Sequence, residues 1–250
     1  MIDASQIQGN LYELYADLGT SGLVDTDHAA GFDYIMHSAY AWPNMCYRPA
    51  GTAERPDFVR LLELMKAGRC PRLVLFEESG LTPEIAEQIK AFRFVPAAQW
   101  TNLFLPVRDA AYQRKQLEVK IVDVDVPHEL SDWTGVASEV LFKNAVLDEK
   151  LFAYGGRNGV FRLITGYFEE RPACTTLLYL GNLAGIYMVA TLPAFQGRGF
   201  GNEIMQYAAS VAALADYSTV VLHSTRSGIA LYDRLGFQER GKLLLYYCMS

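Results

Sequence analysis

The segment VATLPAFQGRGFGNEI, Val189–Ile204, alternates Gly197, Gly199 and Gly201 with Arg198 and Phe200, and Gln196 leads them. It reads as the end of a strand, a turn and the start of a helix. A helix opens on unpaired backbone N–H groups and the positive end of its dipole. A turn that adds more N–H groups on the same side makes a seat for a phosphate. Glycine lets the main chain approach such an anion, because no Cβ intervenes. Arg198 would add charge there, and Gln196 could fix the turn. The competing reading is a glycine-rich turn that only permits close helix–sheet packing, and the motif alone does not choose between them. Two rival anion motifs fit worse. A dinucleotide fingerprint needs G-x-G-x-x-G in the first βαβ unit, whereas the spacing here is G-x-G-x-G and the element comes late. A P-loop needs G-x-x-x-x-G-K-[ST], and the sequence has no such string.

The elements that must position this turn are legible around it. LEVKIVDVD, Leu117–Asp125, alternates apolar and polar residues as a half-buried strand does, and the polar stretch Arg108–Gln116 before it reads as a linker. HELSDWTGVASEVLFKNAVLDEKLFAY is helix-rich. VFRLITGYF and ACTTLLYLG read as strands joined around EERP, and AGIYMVAT follows the turn signal Gly181-Asn182. After the glycines, Ile204, Tyr207, Ala208, Val211 and Leu214 fall on one helical face. The strand TVVLHS, the short helix SGIALYDRLGF ending at Gly236, and the strand KLLLYYC complete the order. The second half is therefore mixed α/β, in the order β-α-α-β-β-β-α-β-α-β.

The first half carries weaker signals. DFVRLLELMKA has helical periodicity, RLVLFEE reads as a strand, and TPEIAEQIKAF as a helix with Thr82 as N-cap and Pro83 at its first position. QWTNLFL closes as a strand. This strand–helix–strand tail parallels that of the second half, which fits duplication and coincidence about equally well. The aromatic stretch HSAYAWPNMCYRPAG packs Tyr40, Trp42 and Tyr47 onto a core or lines a cleft, and the core reading is favoured. The division expected is an N-terminal α/β domain over 1–115 and a second domain over 116–250.

Composition bounds the function. The apolar fraction of 51% excludes a disordered chain, and a formal charge of −6 with scattered Lys and Arg argues against broad nucleic-acid binding. Cys46, Cys70, Cys174 and Cys248 show no CxxC spacing, and the histidines are equally dispersed, so no metal site is expected. The N-terminus lacks the apolar core of a signal peptide, and no apolar run approaches the roughly 20 residues that span a bilayer. A cytoplasmic setting without membrane association is the expectation.

Gln196-Gly197-Arg198-Gly199-Phe200-Gly201 resembles the Q/R-x-x-G-x-G/A signature of the GNAT N-acetyltransferase family. Pro193 stands where that family often has proline, and ALYDRLGF, Ala230–Phe237, matches its LYxRxGF element at the usual distance. The resemblance covers roughly Leu117–Ser250, and the first half is not matched by motif. It implies a GNAT-like acyl-CoA N-acyltransferase fold in the second half: a mixed sheet whose fourth and fifth strands splay apart, with the pantetheine of acetyl-CoA in the gap. The first half would be an α/β domain, read either as a degenerate copy or as an unrelated module. By the same resemblance, Gln196, Gly197, Arg198, Gly199, Phe200, Gly201 and Asn202 hold the pyrophosphate, Val189 and Thr191 pair with pantetheine, and Tyr232 is the acid for the departing thiolate. Thr225 stands where many members carry asparagine and would replace its hydrogen bond to the cofactor. The carboxylate that many members carry on the fourth strand is missing from AGIYMVAT.

Transfer from a thioester to an amine requires a proton acceptor, donors for the oxyanion and neutralisation of the leaving sulfur. A backbone N–H near Val189 would serve the oxyanion. His223, with an ordinary pKa near 6.5, suits proton removal, although a histidine on an apolar strand is more often simply packed. Glu169 and Glu170 lie in a hairpin that reads as a solvated turn, and water is a further candidate base. The acceptor expected is an amine of a small molecule or protein, and a homodimer is compatible with the chain. A catalytically silent acyl-CoA binder is the alternative.

Overall fold

Capping chemistry and hydrophobic periodicity set the element boundaries. The computed structural model describes residues 2–108 and 110–249; Met1, Ser250 and Asp109 of the expected linker lie outside the described residues. In chain order the elements are α1 (Ala4–Gly19), β1 (Asp25–Ala29), β2 (Phe32–Met36), β3 (Asn44–Arg48), α2 (Phe58–Lys66), β4 (Leu73–Glu77), α3 (Pro83–Ala91), β5 (Phe94–Pro106), β6 (Glu118–Ile121), α4 (Pro127–Leu141), α5 (Glu149–Arg157), β7 (Phe161–Phe168), β8 (Arg171–Leu180), β9 (Ala184–Thr191), α6 (Phe200–Leu214), β10 (Thr219–Ser224), α7 (Ile229–Arg234) and β11 (Gln238–Cys248). This is the mixed α/β class read from the sequence. α3 starts as expected, with the Thr82 hydroxyl accepting from the Ile85 amide and Pro83 in the first turn. α1, for which the sequence gives no expectation above, opens on a reciprocal capping box between Asp3 and Gln6.

The chain forms two compact units. The first contains residues 2–102, 223–228 and 239–249, and the second contains 103–222 and 229–238, so 1–115 and 116–250 each contribute to both. In the first unit the strands lie in the order β1-β2-β3-β4-β11. β1/β2, β2/β3 and β4/β11 are antiparallel and β3/β4 parallel. Phe32, Cys46, Phe58, Leu61, Val74 and Phe76 form its core with Cys248 from β11.

In the second unit the order is β10-β9-β8-β7-β6, with β9/β10 parallel and the other pairs antiparallel. Trp133 of α4 is fully buried and its indole N–H donates to the Thr176 carbonyl at 3.0 Å. α5 lies close on β7 because Gly155 has no side chain; a Cβ there would meet the Phe161 ring at 2.2 Å. α6 buries Ile204 and Ala208 and half-buries Tyr207 and Val211. Leu214, counted in that stripe, is 85% exposed, because it is the last helical residue and Ala215 already caps the end.

One order of elements recurs. β1-β2-β3-α2-β4-α3-β5 and β7-β8-β9-α6-β10-α7-β11 both run antiparallel, antiparallel, then through a helix to a parallel partner. The parallel seen in the two sequence tails is thus carried by the whole succession of elements.

Candidate functional site

Within the second unit, β9 and β10 pair only over Ala184–Ile186 and Val220–Leu222. β9 continues to Thr191 with β8 on its other side, leaving the rest of its β10-facing edge without a ladder partner in that strand. Its pairing with β8 is interrupted: Leu177 faces Tyr187 whereas Thr175 faces Ala190, so β9 carries an extra residue. Met188 occupies this bulge at φ 51°, a left-handed conformation that costs a non-glycine residue roughly 1–2 kcal/mol. The Thr176 hydroxyl braces the bulge by donating to the Tyr187 carbonyl at 3.1 Å. A bulge of this kind kinks the strand locally, and it lies beyond Ile186, the last β9 residue paired with β10.

Past Thr191 the chain makes one short 3-10 turn, Pro193–Phe195, and enters the glycine segment. Gln196–Gly199 is exposed. Gly197 and Gly199 adopt φ 77° and 85°, and Gly199 is the N-cap of α6, with no side chain capping the helix. The amides of Gly197, Arg198, Gly199, Phe200 and Gly201 find no acceptor among the described residues. Those of Asn202 and Glu203 bond the Gly199 carbonyl, so the open amides stop at Gly201 and only the Asn202 side chain remains available for contact. A Cβ on Gly197 or Gly199 would meet nothing within 4 Å, whereas one on Gly201 would lie 3.4 Å from Leu231 and 3.7 Å from the Thr191 hydroxyl. The conformational reading therefore holds for Gly197 and Gly199, at an open anion seat, whereas a Cβ on Gly201 would make only ordinary van der Waals contact.

The turn is braced from both sides. The Gln196 side chain donates to the Thr191 carbonyl at 3.1 Å, and Gln116 donates to the Arg198 carbonyl at 3.2 Å. The Arg198 guanidinium lies over the rings of Phe168 (5.4 Å) and Phe195 (5.8 Å). Behind the helix start, the Glu203 carboxylate is 2% exposed and accepts from the Tyr112 hydroxyl and the amides of Lys115, Gln116 and Leu117. Burial raises its pKa, but these hydrogen bonds outweigh burial and hold it below the usual carboxylate value. The polar stretch expected to be a linker is thus tied to the helix that begins the cradle. Glu203 carries no sequence signal, because its partners lie 86 to 91 residues away.

Tyr232, on α7, is buried against Phe237 with ring centroids 5.5 Å apart, and its hydroxyl has no hydrogen-bond partner among the described residues. Burial pushes its pKa up to about 12, so the phenol stays protonated at neutral pH and can donate. His223 and Thr225 belong to the first unit. The His223 Nδ1 lies 2.8 Å from the Asn102 Oδ1, its ring lies 6.5 Å from that of Trp100, and burial pushes its pKa down to about 3. The Thr225 hydroxyl is exposed and shares a hydrogen bond with Ser227 at 2.9 Å.

Residues 155–239 match the model of the acetyltransferase (GNAT) domain. This stretch is similar to a GNAT domain. The fold is that of the GNAT proteins as well. A GCN5-related N-acetyltransferase from Kribbella flavida superposes with a TM-score of 0.69 at 12% identity, over 96% of this chain and 95% of its own. One from Sphaerobacter thermophilus gives 0.61 at 12%, over 94% and 84%. A conserved protein of unknown function from Staphylococcus epidermidis gives 0.59 at 13%, over 91% and 96%. No curated protein sequence matches the chain.

The glycine turn has a contrasting counterpart in the first unit. There the parallel pairing of β3 with β4 includes Arg48, the last residue of β3, so no unpaired stretch of β3 extends beyond it. The loop that follows wraps around a cation: the Arg48 guanidinium donates to the carbonyls of Gly31, Thr52 and Glu54. Carbonyls turned onto a buried guanidinium leave a loop with the wrong polarity for a phosphate. The Asp57 carboxylate caps α2 by accepting from the Arg60 amide, so the helix start already has its anion.

Proposed function

We propose that the protein is an acetyl-CoA-dependent N-acetyltransferase acting on a primary amine of a small molecule or protein. One observation carries this reading: a run of unpartnered amides at the mouth of α6, opening on the exposed turn Gln196–Gly199, follows one short turn after a strand that pairs with its parallel neighbour over only part of its length. The coenzyme would supply an acyl group activated as a thioester, and its pyrophosphate suits a seat made of amides and a helix dipole. The amides of Gly197–Gly201 and the Arg198 guanidinium hold the diphosphate, and Gln196 keeps the turn in shape. Val189 and Thr191 offer main-chain groups along the free edge of β9, and Asn202 and Thr225 offer side-chain contacts. A backbone N–H near Val189, next to the bulge at Met188, would serve the oxyanion.

Tyr232 gives its proton to the departing sulfur; a phenol with a raised pKa is protonated when that step begins. His223 accepts the proton of the attacking amine. Burial keeps the imidazole neutral, and the same burial weakens it as a base. Holding amine and thioester together therefore has to supply a large part of the rate, roughly 7–11 kcal/mol when geometry is good. β9 carries no carboxylate that would take over from His223, which keeps a catalytically silent acyl-CoA binder as the second reading. Thiol release from acetyl-CoA across a panel of amines separates the two. Turnover with at least one amine is expected, and tight coenzyme binding with no turnover on any amine would leave only the binder.

A further inference from the structure

Glu77, the last residue of β4, is 4% exposed and has no cationic side chain paired with it among the described residues. Its carboxylate accepts from the Tyr12 hydroxyl at 3.1 Å and from the Ala50 amide. With the Gln8 amide oriented to put nitrogen toward it, the carboxylate also accepts from that nitrogen at 2.8 Å, which in turn lies 3.1 Å from the Ala4 carbonyl. In the same orientation the Gln8 side-chain oxygen accepts from the Asn102 Nδ2 at 2.9 Å. The Asn102 Oδ1 faces the His223 Nδ1 at 2.8 Å. Gln8 and Asn102 are 2% and 0% exposed, so water cannot replace any link between them.

We propose that Glu77 acts on His223 through these two amides as a positioning residue, fixing the imidazole with its proton on Nδ1 and its lone pair on Nε2. The direction of every bond follows from the first. A carboxylate only accepts, so Gln8 must turn its nitrogen to Glu77 and its oxygen to Asn102. Asn102 must then present its nitrogen to Gln8 and its oxygen to His223. The imidazole, facing an acceptor, must donate from Nδ1. Reversing one amide would set oxygen against oxygen or nitrogen against nitrogen inside a buried chain, which is why the register is held. The carboxylate thus reaches the ring over two intervening side chains, and its negative charge polarises each bond in the same sense. For catalysis the inference rests on the reading of His223 as the proton acceptor, since Nε2 is the atom left able to accept.

The test is a two-dimensional 15N–1H spectrum of the full chain labelled at histidine, with the His223 signals assigned by their loss in His223→Gln. In the wild type, Nδ1 is expected to give the protonated-type shift and Nε2 the unprotonated one, with a tautomer preference above about tenfold, about 1.4 kcal/mol. Glu77→Gln removes the obligatory acceptor, and the preference falls to within about threefold of even. Gln8→Met breaks the chain at its middle and gives the same loss should the first variant not fold. Tyr12→Phe removes a bond to Glu77 outside the chain and leaves the tautomer as it was. Asn102→Asp added to Glu77→Gln restores it, because an acceptor-only group then faces Nδ1 directly. A wild-type ring protonated on Nε2, or an unchanged ratio in both Glu77→Gln and Gln8→Met, overturns the relay. A shifted tautomer with unchanged acetyl transfer keeps the relay and removes His223 from the proton-acceptor role.

Discussion

Replacing Gly199 by aspartate separates the two uses of the glycine turn. A Cβ there meets nothing within 4 Å, so the substitution is free of clashes. What it costs in the fold is the left-handed conformation at φ 85°, about 1–2 kcal/mol for any side chain. The new carboxylate sits at the start of α6, where the amides of residues 197–201 are open. Two diphosphate charges about 5 Å from it, at an effective dielectric constant of about 40–80, are repelled by about 2–3 kcal/mol. Coenzyme affinity is then expected to fall roughly 30- to 150-fold. Gly199→Ala supplies the control: the same conformational cost without the charge, and an affinity loss below about fivefold. Titration calorimetry with coenzyme A measures the first quantity and urea unfolding the second. An aspartate variant that is folded and binds within about threefold of wild type, or an alanine variant that loses as much affinity as aspartate, refutes the anion seat.

Tyr232→Phe is expected to lower turnover about 10²- to 10⁴-fold and coenzyme affinity hardly at all, because only the proton donor is removed; steady-state kinetics beside calorimetry measure the split. Glu203→Gln should destabilise the protein at neutral pH by about 1–3 kcal/mol, since an acceptor for several buried amides is weakened. The Glu203 carboxyl is held below its ordinary value of 4.5 in the fold, so its stabilisation is complete above that value and is lost as pH falls through the lowered one. The Glu203→Gln variant should lack that part of the acid limb in a series of urea melts. Arg48→Lys is expected to cost about 2–4 kcal/mol, because an ammonium cannot reproduce a fork shared among three carbonyls. The same variant should bind coenzyme A as wild type does, at one site per chain; two sites per chain would contradict the polarity argued for the first unit.

Legibility follows how local each signal is. β9 is readable at its full extent because AGIYMVAT is bounded by a turn and a proline, and α3 because Thr82 and Pro83 are cap chemistry. β1 is unreadable: DTDHA is polar and exposed, and only pairing with β2 makes it a strand. The glycine segment stands out in the sequence, yet which of its glycines take a positive φ, Gly197 and Gly199 but not Gly201, is decided by the path of the turn. Met188 has no compositional mark of a bulge, since its φ is imposed by the extra residue between two fixed registers. His223 draws notice for its ordinary pKa, and its actual environment comes from Asn102, 121 residues earlier. Local chemistry is therefore visible, and what is settled by distant partners is not.

The allotment of β11 has a consequence for synthesis. This strand pairs with β4, Leu243 opposite Glu77, so the first unit is closed by a strand made only after residues 103–222 of the second unit. Until then β4 exposes an unsatisfied edge and a carboxylate destined for the interior. A chain made only as far as β10 would thus present the open edge of β4, in its earlier part, to chaperones and proteases.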